Sequence, residues 1–129
     1  MSGWTNIPEN IEEYQGFIYI ITSLRDNKYY IGKKNFWRIQ KLKPLKGHTR
    51  RRLKKVETDW QNYWSSGAYL LEDIEKYGYD SFIRTILKPC KNKWEMSYYE
   101  AKLQFERDVL LDERSYNGMI NCRIHKRKR

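Results

Sequence analysis

Phe17-Ile18-Tyr19-Ile20-Ile21-Thr22 and Lys28-Tyr29-Tyr30-Ile31-Gly32-Lys33 are the two stretches that decide the fold. Both are rich in the β-branched and aromatic residues that fill a pleated surface, and the polar break Arg25-Asp26-Asn27 separates them. They read as a β-hairpin. The break holds no glycine, so a longer loop around Asp26-Asn27 is expected instead of a two-residue primed turn. Tyr19 and Tyr30 fall on adjacent strands with ten residues between them, a spacing at which two phenols meet on one sheet face. A cross-strand tyrosine pair is by itself ordinary sheet packing. The residues after Tyr30 give the pair weight: Gly32 closes the second strand, permits close approach of another group, and leads straight into Lys33-Lys34.

Downstream, residues 33 to 55 hold eleven Lys or Arg and no acidic residue, interrupted by Pro44 and Gly47. So many unopposed charges repel one another, and a bound polyanion relieves that repulsion. The stretch reads as a flexible basic insertion over 33–49 that turns helical near Arg50. Ser65 or Ser66 caps a helix whose Leu70, Leu71, Ile74 and Tyr77 recur at helical spacing, with Gly78 placed to end it. A third strand is expected over 81–87, ended by Pro89. Asn92 and Glu95 have capping-box spacing and open a long helix to about Leu111, with an apolar stripe through Met96, Tyr99, Leu103 and Leu110. Residues 1–15 read as an arm, irregular or a short helix, lying over the core. The tail over 122–129 is basic and frays without a partner.

The 129 residues fit one domain, taken as 1–129, and the elements make it α+β: a small three-stranded antiparallel sheet flanked by helices. A net charge of +10 points to nucleic acid. Aromatics at 16% exceed what so small a core requires, so some are expected at the surface, where they can stack on bases. Cys90 and Cys122 have neither metal-site nor disulfide-scaffold spacing, which reads as an intracellular, cytoplasmic chain. No apolar run is long enough to span a membrane, and the N-terminus lacks a signal-peptide core.

With these residues in place, the chain resembles the GIY-YIG nuclease family. Its second motif is present in full as Tyr30-Ile31-Gly32; its first is Phe17-Ile18-Tyr19, with the leading glycine replaced and Gly16 one position upstream. Ser65-Ser66, Gly78, the strand at 81–87, Glu100 and Tyr116-Asn117 then come in the order seen in relatives of homing endonucleases. The likeness covers about residues 16–121. The family's arginine is harder to place across the insertion; counting back from Ser65-Ser66 lands on Arg51, between Arg50 and Arg52. Trp64 stands where some relatives carry a histidine. At 100° per residue Glu100 lies about 70° from the centre of the apolar stripe and Glu106 lies at the opposite edge, so geometry leaves both open and family spacing favours Glu100.

The resemblance implies hydrolysis of phosphodiester bonds in double-stranded DNA, dependent on magnesium or manganese. It casts Glu100 as the metal ligand, Tyr19 as general base, Tyr30 as its assistant, Arg51 as the group on the scissile phosphate, and Asn117 as a further site residue. Cations near the phenols, from Lys33, Lys34 and Arg50 to Arg52, are expected to lower their pKa. Lys33, Lys34, Arg38, Arg50, Arg52, Lys54 and Lys55 are the expected DNA contacts. No separate DNA-reading module is visible, so specificity is left to this domain, a homodimer partner or an accessory specificity protein. A phage-borne enzyme acting in the host cytoplasm fits this reading. Two alternatives stand beside it: a non-catalytic nucleic-acid-binding domain of the same fold, and a basic structural protein of the kind bound to ribosomes.

Overall fold

The computed structural model describes residues 3–127. The outer ends of the arm and the tail, Met1-Ser2 and Lys128-Arg129, lie outside the described residues. The chain builds strands β1 (Trp4–Thr5), β2 (Gly16–Ser23), β3 (Tyr29–Asn35), β4 (Trp37–Leu42) and β5 (Arg52–Glu57), helix α1 (Ala68–Tyr77), strand β6 (Phe82–Cys90) and helix α2 (Lys93–Glu106). The main sheet has the order β1-β6-β2-β3, while β4 and β5 form a separate ribbon. The fold is α+β, with four strands in the sheet where the sequence reading expects three. The fourth comes from the arm: Trp4 and Thr5 pair parallel with Arg84 and Thr85 of β6, and the buried Trp4 indole donates to the Trp60 carbonyl at 2.8 Å.

β2 is central, and both of its faces are covered. Phe17, Tyr19 and Ile21 pack with Leu70 and Ile74 of α1, while Ile18 and Ile20 pack with Ile31, Cys90 and Met96 of α2. That two-sided burial explains why its sequence is continuously apolar and does not alternate. β3 is an edge strand, paired antiparallel to β2 only. Residues 114–117 blunt its first half: Tyr29 N–H donates to the Arg114 carbonyl at 2.8 Å, and Tyr116 N–H to that of Tyr29 at 2.7 Å.

Several element boundaries differ from the expectation. α1 is capped at Gly67, without a side-chain cap, because Ser65 turns its hydroxyl to the Gly67 N–H at 3.1 Å, ahead of the helix. β6 continues past Leu87 through Pro89, which is accommodated because β1 reaches only Arg84 and Thr85 and leaves the far side of that end without a partner strand. α2 opens as expected, with the Asn92 side chain accepting from Glu95 N–H at 2.8 Å, but it stops at Glu106. Asp108, at φ 51°, breaks it, so Val109 is the buried residue there and Leu110 is exposed. In the tail, the Trp94 indole on α2 donates to the His125 carbonyl at 2.8 Å.

The largest correction concerns the basic segment. No helix forms near Arg50; residues 37–42 pair antiparallel with 52–57, and Arg50 and Arg51 lie in the connection between them. Pro44 and Gly47, the latter at φ +83°, shape that connection as a turn and exclude a helix. Lys33 and Lys34 belong to β3 itself. Among the described residues, no helix is long and apolar enough to cross a membrane.

Candidate active site

Strand pairing sets Tyr19 opposite Gly32 and Tyr30 opposite Ile21, so the two phenols are diagonal neighbours on one face. Their ring centroids are 6.2 Å apart and the planes 29° off parallel. Two glycines make this stack fit. A Cβ on Gly32 would come 2.5 Å from the Tyr19 hydroxyl oxygen, and one on Gly67 would come 2.7 Å from the Tyr30 ring. Neither position has room for another side chain.

The segment before α1 closes over the pair. Tyr63 packs edge-on against Tyr19 with centroids 6.1 Å apart, and Ser65, buried and at φ 92°, interacts with the Tyr19 hydroxyl. Arg84 fixes this segment from below: its guanidinium donates to the Gln61 and Tyr63 carbonyls at 3.2 and 2.6 Å and lies between the Trp4 and Trp64 rings. Tyr63 and Arg84 belong to the site without any signal in the sequence that assigns them to it. Ser65 reads there as a helix cap and, with Ser66, as one step of the family order, and no local pattern ties Arg84 to a loop two elements earlier.

The third wall comes from the opposite side of the sheet, around the open edge of β3. Glu100 on α2 is only 15% exposed, with its carboxylate 3.9 Å from the Lys33 ammonium. Glu106, the other candidate that helical geometry leaves open, is exposed. Burial raises Glu100 above the usual carboxylate range, and Lys33 opposes that rise. Lys33 also donates to the Ser97 hydroxyl at 3.2 Å, while Lys34 pairs with Asp59 at 2.8 Å and lies over the Tyr63 ring. Asp59 falls below its ordinary value, first through the hydrogen bond from Lys34.

The phenols do not behave as the nearby charge suggests. Burial lifts Tyr19 well above the ordinary tyrosine value, Tyr63 adds to the rise, and Ser65 opposes it. Tyr30 is also raised by burial, with the Ser66 and Ser65 hydroxyls pulling it down and Glu100 pushing it up. Desolvation is the leading cause for both phenols, while Lys33 and Lys34 are engaged with Glu100 and Asp59.

Asn117 is buried, and its carboxamide bonds both peptide groups of Ile31: it accepts from N–H at 2.9 Å and donates to the carbonyl at 2.8 Å. Gln104 donates to that same carbonyl at 2.9 Å. Asn117 thus bonds the β3 backbone at the residue after Tyr30. Arg51 is not among the residues brought together here. It is exposed in the ribbon connection, in a shallow depression with Leu45, His48 and Thr49. Arg38, Arg52, Lys54 and Lys55 are exposed along the ribbon strands. The site therefore combines two stacked phenols, serine hydroxyls, one partly desolvated carboxylate able to hold a cation, and two lysines at an open sheet edge.

Residues 2–120 match the family model described as "Putative endonuclease segE, GIY-YIG domain". No curated protein and no solved structure matches the chain. With a family model spanning nearly the whole chain and both tyrosine motifs paired on adjacent strands beside Glu100, this protein belongs to the GIY-YIG endonuclease family.

Proposed function

We propose that the chain is a divalent-cation-dependent endonuclease that hydrolyses phosphodiester bonds of double-stranded DNA. The observation that carries this reading is Glu100: a carboxylate only 15% exposed, reaching the same sheet edge as Tyr30, with a single ion-pair partner among the described residues, at 3.9 Å. A desolvated carboxylate so loosely compensated favours a cation beside it. A single carboxylate among hydroxyls suits a hard ion that keeps most of its waters, as magnesium does, and manganese fits the same set. Bound at Glu100, such an ion would supply positive charge to the phosphoryl oxygens and lower the pKa of nearby water and phenol.

The protein groups divide the remaining work. Tyr30 is half-buried, meets Ser66 and Ser65, and feels Glu100, whereas Tyr19 is 1% exposed. This exchanges the roles implied by the resemblance: Tyr30 is the phenol that takes the proton of the attacking water, and Tyr19, backed by Ser65, orients it. At a pKa of about 10 a phenol is ionised roughly one part in a thousand at pH 7, a deficit of about 4 kcal/mol, and burial adds to it. Ser66 and Ser65 oppose the rise at Tyr30, and Lys33 and Lys34 meet the phosphate beside the scissile bond. Arg51, with Arg50, holds DNA further along the ribbon, and Asn117 keeps β3 in register.

A supercoiled plasmid incubated with magnesium tests the proposal. Nicked or linear product that disappears with EDTA and with Glu100→Ala supports it. Tight binding without cutting in either magnesium or manganese would leave the fold as a binding domain only.

A further inference from the structure

We infer that the β4-β5 ribbon enters the major groove of duplex DNA and reads base edges with Arg38, Gln40, Arg52 and Lys54. This rests on the proposal that duplex DNA is the substrate, and it supplies the reading element that the sequence did not reveal.

Cross-strand pairs share a face and neighbours along a strand alternate, so the register sorts the ribbon in two. One face carries Arg38, Gln40 and Leu42 opposite Val56, Lys54 and Arg52. The other carries Trp37, Ile39 and Lys41 opposite Glu57, Lys55 and Leu53. The second face is tied down at its base, where the Trp37 indole donates to the Ile11 carbonyl at 3.2 Å and Glu57 accepts from the Trp60 indole at 2.8 Å. It also carries the ribbon's carboxylate, which repels phosphate. The first face holds four exposed long polar side chains and no acid.

Those four residues match the groove. Arginine and lysine bond the O6 and N7 acceptors of guanine, and glutamine bonds the N6 and N7 of adenine. Gln40 is the informative one: it has no charge to offer phosphate, yet it stands between the cations in the middle of the face. A two-stranded ribbon fits the major groove of B-DNA, about 12 Å wide, whereas the deep, narrow major groove of A-form RNA excludes it.

The mounting fixes the reading distance. Only Phe36 separates β3 from β4; it is fully buried, its N–H donates to the Gln15 carbonyl at 2.9 Å, and its carbonyl accepts from Thr58 N–H at 2.9 Å. Tyr30 and Gln40 are ten residues apart, a span of at most about 35 Å, close to one turn of B-DNA. The bases read therefore lie within about ten base pairs of the cut.

The test uses the full chain and a duplex library with a randomised segment. Bound duplexes are selected in EDTA, and cut ends are mapped in magnesium. The wild type should enrich defined bases on one side of the cut. Arg38→Ala and Gln40→Ala should each reduce the preference at a different base position by about 5- to 150-fold, with melting curves like the wild type's. Ile39→Ser, on the other face, should leave the pattern unchanged. The inference is overturned if the wild type shows no base preference, if Arg38→Ala and Gln40→Ala weaken all sequences alike, or if duplex RNA competes as well as DNA. Cutting without base preference would overturn the ribbon reading and keep the endonuclease. Base preference without cutting would do the reverse.

Discussion

The Asn117 carboxamide does for Ile31 what a neighbouring strand does elsewhere in the sheet: it accepts from the peptide N–H at 2.9 Å and donates to the carbonyl at 2.8 Å. β3 is the edge strand and Tyr30 precedes Ile31, so a side chain some 86 positions later completes the hydrogen bonding of a strand that carries a site phenol.

Asn117→Ala leaves one buried N–H without its acceptor and leaves the carbonyl to Gln104 alone. The expected loss is about 2–3 kcal/mol of unfolding free energy in a urea titration. Asn117→Asp is more diagnostic. Its carboxylate still accepts from the Ile31 N–H but faces and repels the Ile31 carbonyl oxygen, to which only the protonated acid can donate alongside Gln104. The folded pKa of the new aspartate is therefore raised, and the variant gains stability relative to wild type as pH falls through that value. A pH-independent loss would show that the carbonyl bond contributes nothing.

Gly32→Ala forces a Cβ to within 2.5 Å of the Tyr19 hydroxyl oxygen and 2.7 Å of the carbon bearing it. Tyr19 is buried among Trp4, Phe17, Tyr30 and Tyr63 and cannot swing away. The substitution should cost about 1–3 kcal/mol. Adding Tyr19→Phe removes the nearest clashing atom and should recover part of that stability without recovering cleavage. A double variant no more stable than Gly32→Ala alone would place the strain elsewhere.

The motif hairpin was legible because both kinds of information agreed: β-forming composition in Phe17–Thr22 and Lys28–Lys33, and a family spacing between Tyr19 and Tyr30. Asn92 likewise marked the start of α2 through a local bond to Glu95 N–H. Glu100 could not be told from Glu106 by periodicity, since the choice depends on which edge of the helix meets β3. The ribbon was hidden for a physical reason: exposed on both faces for most of its length, it has no buried side to impose a clean apolar alternation, so its charges read as a loop. Arg51 was placed by counting back across an assumed helix, and the chain forms the connection between β4 and β5 there. Arg84 and Tyr63 were out of reach for another reason, as their contact joins positions 21 residues apart on different elements.

Burial holds Glu100 above the usual carboxylate range and Lys33 works against it, so the ionised form is the one the metal-free fold disfavours. That destabilisation is present above the folded pKa and disappears as pH falls through it. Glu100→Gln should therefore melt a few degrees higher than wild type at pH 7 in EDTA, with the gap closing on acidification, while cleavage falls by about 10²-fold or more. A lower melting temperature at neutral pH would show that the Lys33 pairing outweighs the burial. Lys33→Met raises the Glu100 pKa further, and the acidic limb of kcat against pH should move to higher pH. An unmoved limb with a raised KM would make Lys33 a phosphate contact alone.

Charge on the ribbon and charge at the site should also separate kinetically. Arg50 and Arg51 lie in the exposed connection of the ribbon, while Lys33 and Lys34 lie on β3 beside the phenols. If six to ten cations of the basic segment meet phosphate, affinity falls by about 10³ to 10⁵ between 50 and 200 mM salt. Arg50→Ala with Arg51→Ala should flatten the slope of log K against log salt by about two contacts and raise KM, leaving kcat at saturating DNA near the wild-type value. Lys33→Ala or Lys34→Ala should lower kcat more than binding, because these lysines stand where charge develops and where a phenol must lose its proton. A drop in kcat for the arginine pair that persists at saturation would return Arg51 to the scissile phosphate and require the ribbon to fold back over β3 when DNA is bound.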